Sequence, residues 1–138
     1  MFQTIIIAGN LGRDPEMRYT PGGQPVTNFS VAVSDNYTNS NNERVERTVW
    51  FRVSTWGKQA EVCNQYLKKG RKVLVEGRLV ADPSGGPRVY TKQDGTSAAS
   101  FEISASTVRF LSSRDEGDGG GGGAGANYSQ NSAEDIPF

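Results

Sequence analysis

Apolar and polar residues alternate with a period of two through much of the first 110 positions, the pattern of strands with one buried face. Thr4-Ile5-Ile6-Ile7-Ala8 is a short apolar run closed by Gly9 and Asn10, which predicts a buried strand. Pro21, Gly22, Gly23 and Pro25 mark a turn. From Thr27 to Ser34, Thr27, Phe29, Val31 and Val33 share one face and Asn28, Ser30, Ala32 and Ser34 the other. The polar stretch DNYTNSNN, residues 35–42, reads as a loop.

The segment ERVERTVWFRVSTWG alternates most clearly. Val45, Val49, Phe51 and Val53 share the core-facing parity, while Trp50, Arg52, Ser54 and Trp56 share the other. Both tryptophans thus lie opposite the aliphatic stripe, with an arginine between them. A second packed layer could bury them, but Glu46, Thr48, Arg52 and Ser54 on the same face would sit badly in a core, so an exposed aromatic face is expected.

The period changes between Gly57 and Gly70. Ala60, Cys63 and Leu67 recur at helical spacing, Lys68 and Lys69 suit a last helical turn, and Gly70 suits a left-handed cap. Cys63 falls on the inward stripe as an inert core residue. RKVLVEGRLV returns to strand, with Gly77 at a bulge or bend. After a DPSGGP turn, PRVYTKQ and SAASFEISA flank Asp94-Gly95, a hairpin signal. Arg88, Tyr90 and Lys92 share one face of the incoming arm, while Phe101, Ile103 and Ala105 form the core side of the outgoing one. One helix between the third and fourth long strands predicts an all-β fold with a single helix, a five-stranded OB-type barrel with a protruding β-hairpin.

Composition divides the chain. Of its 138 residues, those through Ser113 carry 14 Lys+Arg against 10 Asp+Glu, whereas the remainder carries one Arg against five acids. A basic globule with an acidic tail suits a polyanion-binding domain. The expected division is a folded domain over residues 1–111, a disordered glycine-rich linker over 112–132, and an acidic-apolar tip over 133–138. With no histidine and one cysteine, the usual zinc sets and the usual neutral-pH base are missing. No tight carboxylate or lysine pair replaces them, so binding without catalysis, cofactor or metal is expected. The lone cysteine and the lack of a secretory or membrane-spanning pattern lead us to expect a cytoplasmic protein.

Rings interleaved with cations suit single-stranded nucleic acid, which offers phosphates and unstacked base faces. Trp50-x-Arg52 and Trp56-x-Lys58 form one such row, and Arg88-x-Tyr90-x-Lys92 another on the hairpin. Tyr37 is either a contact or an ordinary surface tyrosine. Gly9-Asn10-Leu11-Gly12 matches the GXXG loop of KH domains, but that loop joins two helices, so a turn is expected here. The polyglycine of residues 119–123 lacks the Lys-Ser/Thr of a phosphate-binding loop.

The segments IIIAGNLGRDPEMRYTPGGQPVTNFSVAVS, TVWFRVSTWGKQAEVCNQYLKKG and VLVEGRL, with the terminal DIPF, closely resemble the bacterial single-stranded DNA-binding proteins. The resemblance spans about residues 3–110 and the last four. It implies an OB-fold homotetramer that wraps single-stranded DNA over aromatic platforms, has no enzymatic activity, and serves replication, recombination and repair. Carried over by neighbouring residues, the stacking rings fall on Tyr37, Trp50, Trp56 and Tyr90. The family usually has Phe in place of Trp56 and often Trp in place of Tyr37. Arg52, Lys58 and Lys69 match basic positions on its DNA path, while Arg88 and Lys92 rest on local pattern alone. The resemblance assigns Asp135, Ile136, Pro137 and Phe138 to the capture of partner enzymes by an apolar plug with a carboxylate anchor. The alternatives are an RNA-binding OB-fold protein, or an adaptor whose tail does the main work.

Overall fold

The computed structural model describes residues 1–111. The expected linker and the tip residues Asp135, Ile136, Pro137 and Phe138 lie outside them. In chain order the elements are β1 (Ile5–Leu11), β2 (Glu16–Tyr19), β3 (Pro25–Thr38), β4 (Arg44–Trp56), α1 (Lys58–Tyr66), β5 (Lys72–Leu79), β6 (Arg88–Thr91) and β7 (Ser97–Phe110). Sheet order runs β1-β5-β7-β4-β3, and a β1–β3 pairing at Asn10↔Ala32 and Leu11↔Val31 returns to the start. Those five strands close the expected OB barrel, and the one helix packs against it at β3 and β4. β4 and β7 run parallel from Phe51↔Phe101 to Ser54↔Ser104, whereas the other pairings are antiparallel. The short β2 adds to β3, and β6 pairs with β7 as a protruding arm.

Inward-facing residues of all five barrel strands meet in one core, among them Leu11, Phe29, Val31, Val53, Val75 and Ile103. Each such side chain contributes about 1.5–3 kcal/mol when fully buried. Two glycines let the backbones close. A Cβ on Gly9 would lie 2.2 Å from the Ala32 carbonyl oxygen, and one on Gly77 would lie 2.2 Å from that of Ser104. At Gly77 the β5–β7 register also shifts, as a bulge there requires.

Gly57 joins β4 to α1 with a φ of 64°, a backbone that side chains resist. Cys63 and Ala60 face inward from α1, and the Thr27 hydroxyl donates to the Ala60 carbonyl at 2.6 Å, tying the helix to β3. Burial pushes the Cys63 thiol up to about 11, against a smaller opposing effect of a hydrogen bond with Thr55. The sulfur is therefore protonated and inert at neutral pH.

Four expectations are corrected. Gly9 and Asn10 do not end the first strand, because Gly9 lies where β1 crosses close to β3, and the Asn10 side chain reaches the Gly70 carbonyl at 3.0 Å. Residues 35–38 belong to β3, paired across to β4 as Asp35↔Arg47 and Tyr37↔Val45. The turn is therefore shorter, and the Asn39 carboxamide oxygen accepts from the amides of Asn41 and Glu43, both at 2.9 Å. The helix stops at Tyr66, with Leu67 extended and buried. The amides that follow bond elsewhere, Lys69 to Asp14 Oδ1 and Gly70 to the Leu11 carbonyl, each at 2.9 Å, so Lys68 and Lys69 lie beyond the helix. Phe101 is 54% exposed despite its core parity, because it is the first β7 residue paired to β4, at the rim of the barrel; its ring centroid is 5.8 Å from that of Phe51.

Candidate nucleic-acid interface

Pleating divides the sequence-predicted site residues between two faces. Trp50, Arg52, Ser54 and Trp56 share the outward side of β4, with Ala32, Ser30 and Asn28 opposite them on β3. Across the parallel junction, Arg52 pairs with Glu102. Arg88 pairs with Ser100 and Tyr90 with Ala98 on the arm, so both rows keep the parity of Glu102. The face thus holds three of the four expected rings and two of the five expected cations.

The rings are available. Trp50 is 52% exposed, Trp56 42% and Tyr90 45%. Trp50 is also supported, since a Cβ on Gly12 would meet its six-membered ring at 2.5 Å. The outer edge of the indole therefore rests against Gly12, and a side chain there would have to displace it. The two tryptophans are six residues apart along β4, about 20 Å at strand rise. Arg52 stands exposed between them.

The arm is held to this face by Glu102. Its carboxylate, with a side chain only 15% exposed, lies 3.6 Å from the Arg88 guanidinium and accepts from the Ser100 hydroxyl at 2.9 Å. The two turns bounding β6 are closed by aspartates. Asp82 Oδ1 accepts from the amides of Ser84 and Gly86 and from the Ser84 hydroxyl; Asp94 Oδ1 accepts from the amide and hydroxyl of Thr96. These bonds, led by those from Ser84 and Thr96, hold both carboxyls below their ordinary value of 3.8.

Lys58 opens α1 two residues after Trp56 and is exposed. A cation there opposes the helix dipole, so the helix itself does not call for it. Lys69 is exposed in the turn whose amide bonds Asp14, which also places it beside the β1–β2 connection holding Gly12. Lys92 lies in the hairpin turn, its amide donating to the Thr96 carbonyl at 2.8 Å.

Tyr37 is not with the others. It is 45% exposed and carries the opposite parity, on the side of the β3–β4 ribbon with Val33 and Val49. Arg47 ion-pairs with Asp35 and lies over the Tyr37 ring, its guanidinium carbon 5.3 Å from the centroid. The sequence reading missed Gly12, Arg47 and Glu102. Gly12 had a signal in the glycine that follows β1; the other two depend on partners that only strand register reveals.

A closed barrel with one helix and a face of half-exposed rings among cations defines an OB-fold module of the ring-and-cation type. The chain belongs to the Single-strand binding protein family, whose model matches residues 2–111. It is 43% identical over 112 residues to the single-stranded DNA-binding proteins of Neisseria meningitidis serogroups A and B, which covers 81% of this chain and 61% of theirs. Single-stranded DNA-binding protein 1 of Chlorobaculum tepidum is 41% identical over 127 residues, covering 92% of this chain and 74% of its own. A crystal structure of a deletion mutant of the single-stranded DNA binding protein from Thermus aquaticus superposes with a TM-score of 0.63 at 30% identity, covering 81% of this chain and 51% of that one. The chain therefore spans less than two thirds of the length of the Neisseria relatives and about half that of the Thermus chain.

Proposed function

We propose that this protein binds and protects single-stranded DNA with little sequence preference, by stoichiometric coating and without catalysis. The observation that carries the reading is the pair Trp50 and Trp56, both about half exposed on one strand with Arg52 between them. Bases stack on these rings and on Tyr90 and Tyr37, while Arg52, Lys58, Lys69, Arg88 and Lys92 meet phosphates. Every base has a π-face, so little base preference follows. Family membership and the names of the relatives support the same ligand.

The cell-level role we infer is in DNA replication, recombination and repair, in the cytoplasm, with the protein acting as a homotetramer. An exposed Ile6 on the outward side of β1 supports self-association. The segment Asp135-Ile136-Pro137-Phe138 recruits partner enzymes, its ring and acidic side chain seating in a basic-rimmed apolar pocket. Removing Phe138 alone leaves DNA affinity intact and abolishes partner capture; a truncated protein that still captures its partners refutes that role.

The test of the main reading is a titration with oligo-dT at two salt concentrations, followed by tryptophan emission, with molar mass measured by light scattering. We expect emission to fall on binding, and affinity to weaken with salt by a log–log slope of about −0.7 for each phosphate neutralised. Five such contacts give about −3.5 per protomer. Failure to bind oligo-dT at low salt overturns the reading, and a preference for oligo-U in competition redirects it to RNA.

A further inference from the structure

Tyr37 carries a guanidinium over one face of its ring. Asp35 and Arg47 are directly paired across β3 and β4, and Arg47 Nε donates to Asp35 Oδ2 at 3.1 Å. Asp35 also pushes the Arg47 guanidinium further up, through their hydrogen bond and then by charge. The pair turns the planar guanidinium onto the Tyr37 ring at 5.3 Å, within cation–π range. All three residues sit on a ribbon only two strands wide, whose neighbours at this level are Val45 and Val49. Arg47 is poorly placed for a phosphate because two of its nitrogens donate to the same Asp35 oxygen, a tighter hold than the 3.6 Å pair of Arg88 with Glu102. What it does offer is a fixed cation over one side of the ring, 5.3 Å from its centroid.

Building on the single-strand reading above, we propose that Arg47, held by Asp35, is a positioning residue for Tyr37. It commits that ring to stacking one nucleobase on its free face, as a three-layer stack of base, tyrosine and guanidinium. Arg47 then contributes to affinity without contacting a phosphate. The device belongs to the opposite side of the ribbon from Trp50 and Trp56, so it acts independently of them.

The experiment measures binding of fluorescein-labelled oligo-dT by anisotropy over a salt series. The proteins are the full-length parent, Tyr37→Ala, Arg47→Ala, Arg47→Lys, Asp35→Asn and the Tyr37→Ala/Arg47→Ala double variant. All substitutions are on the exposed end of the β3–β4 ribbon, and thermal melts confirm that each protein folds. We expect Arg47→Ala and Asp35→Asn to weaken binding about 3- to 10-fold with the salt slope unchanged. Arg47→Lys keeps the charge but loses the planar stack and fork, and should not rescue. On the Tyr37→Ala background, Arg47→Ala should have no further effect.

Overturning results are a slope that drops by about 0.7 with Arg47→Ala and is restored by lysine, which marks a phosphate contact, or losses at Tyr37 and Arg47 that simply add. A parent that binds while Tyr37→Ala matches it also removes the platform but leaves the single-strand reading standing. A parent that does not bind at all refutes that reading itself, and the proposal with it.

Discussion

Truncating both tryptophans probes the interface most directly. Each stacked base contributes about 1–3 kcal/mol. The rings are about 20 Å apart along β4, outside the range of about 7–10 Å within which substitutions couple, so their effects should add. Trp50→Ala with Trp56→Ala should therefore cost about 2–6 kcal/mol of binding, a loss of about 30-fold to about 20,000-fold. Folding pays a smaller separate cost at Trp50, whose indole rests on Gly12. A loss of about 1 kcal/mol there lowers the melting temperature by about 4–8 °C. Since the double variant has no tryptophan left, the assay is anisotropy of labelled oligo-dT, with circular dichroism as the fold control. A double variant that remains folded and binds within threefold of the parent would refute the aromatic platform. So would single variants whose losses depart from additivity by much more than about 0.5 kcal/mol, because the rings would then not be separate stacking sites.

Gly77→Ala forces a Cβ against the Ser104 carbonyl oxygen at 2.2 Å, a backbone atom that moves only with β7; we expect a loss of about 1–3 kcal/mol in urea unfolding with little change in oligo-dT affinity once folded. The buried Cys63 thiol, pushed up to about 11, should resist a thiol reagent at pH 8 in the native protein and react in denaturant, and prompt native-state labelling would contradict its burial. Asp82 and Asp94 have folded-state values below 3.8, so their support of the arm's two turns is complete above that pH and lost as pH falls below it through the folded values. Amide shifts of Gly86 and Thr96 followed by NMR should move together in that acidic window, and an earlier change near pH 5 to 6 would argue against these carboxylates.

What the sequence made legible was whatever a single strand or turn determines by itself. Period two along β4 was enough to separate Trp50 and Trp56 from Val49, Phe51 and Val53, because the barrel end of that strand buries Val53 and half-buries Val49 and Phe51 on one side while both tryptophans are exposed on the other. The same logic failed for residues 35–38, where the β3–β4 ribbon stands clear of the barrel and neither side needs to be apolar. The end of α1 was misread because Leu67 serves the core equally well from a helix or from extended chain. What decides between them is Asp14 and Leu11, more than 50 residues away, taking the amides that follow. Arg47 and Glu102 were missed for the same reason, since each acquires its role from a cross-strand partner.

The division of rings between two faces bears on which polyanion this surface suits. Trp50, Trp56 and Tyr90 share one side, and Tyr37 lies on the other side of the β3–β4 ribbon. A ligand that uses all four must therefore turn around the ribbon's edge and present unpaired bases in two different directions. Duplex DNA has a persistence length of about 50 nm and keeps its base faces stacked inside, so it cannot follow that path at the scale of one domain. A single strand bends freely between nucleotides and exposes a π-face at each. On this argument, the proposed preference for single strands would not depend on any one residue rejecting a duplex. It follows from where strand parity and the Asp35–Arg47 pair place Tyr37 relative to the tryptophans.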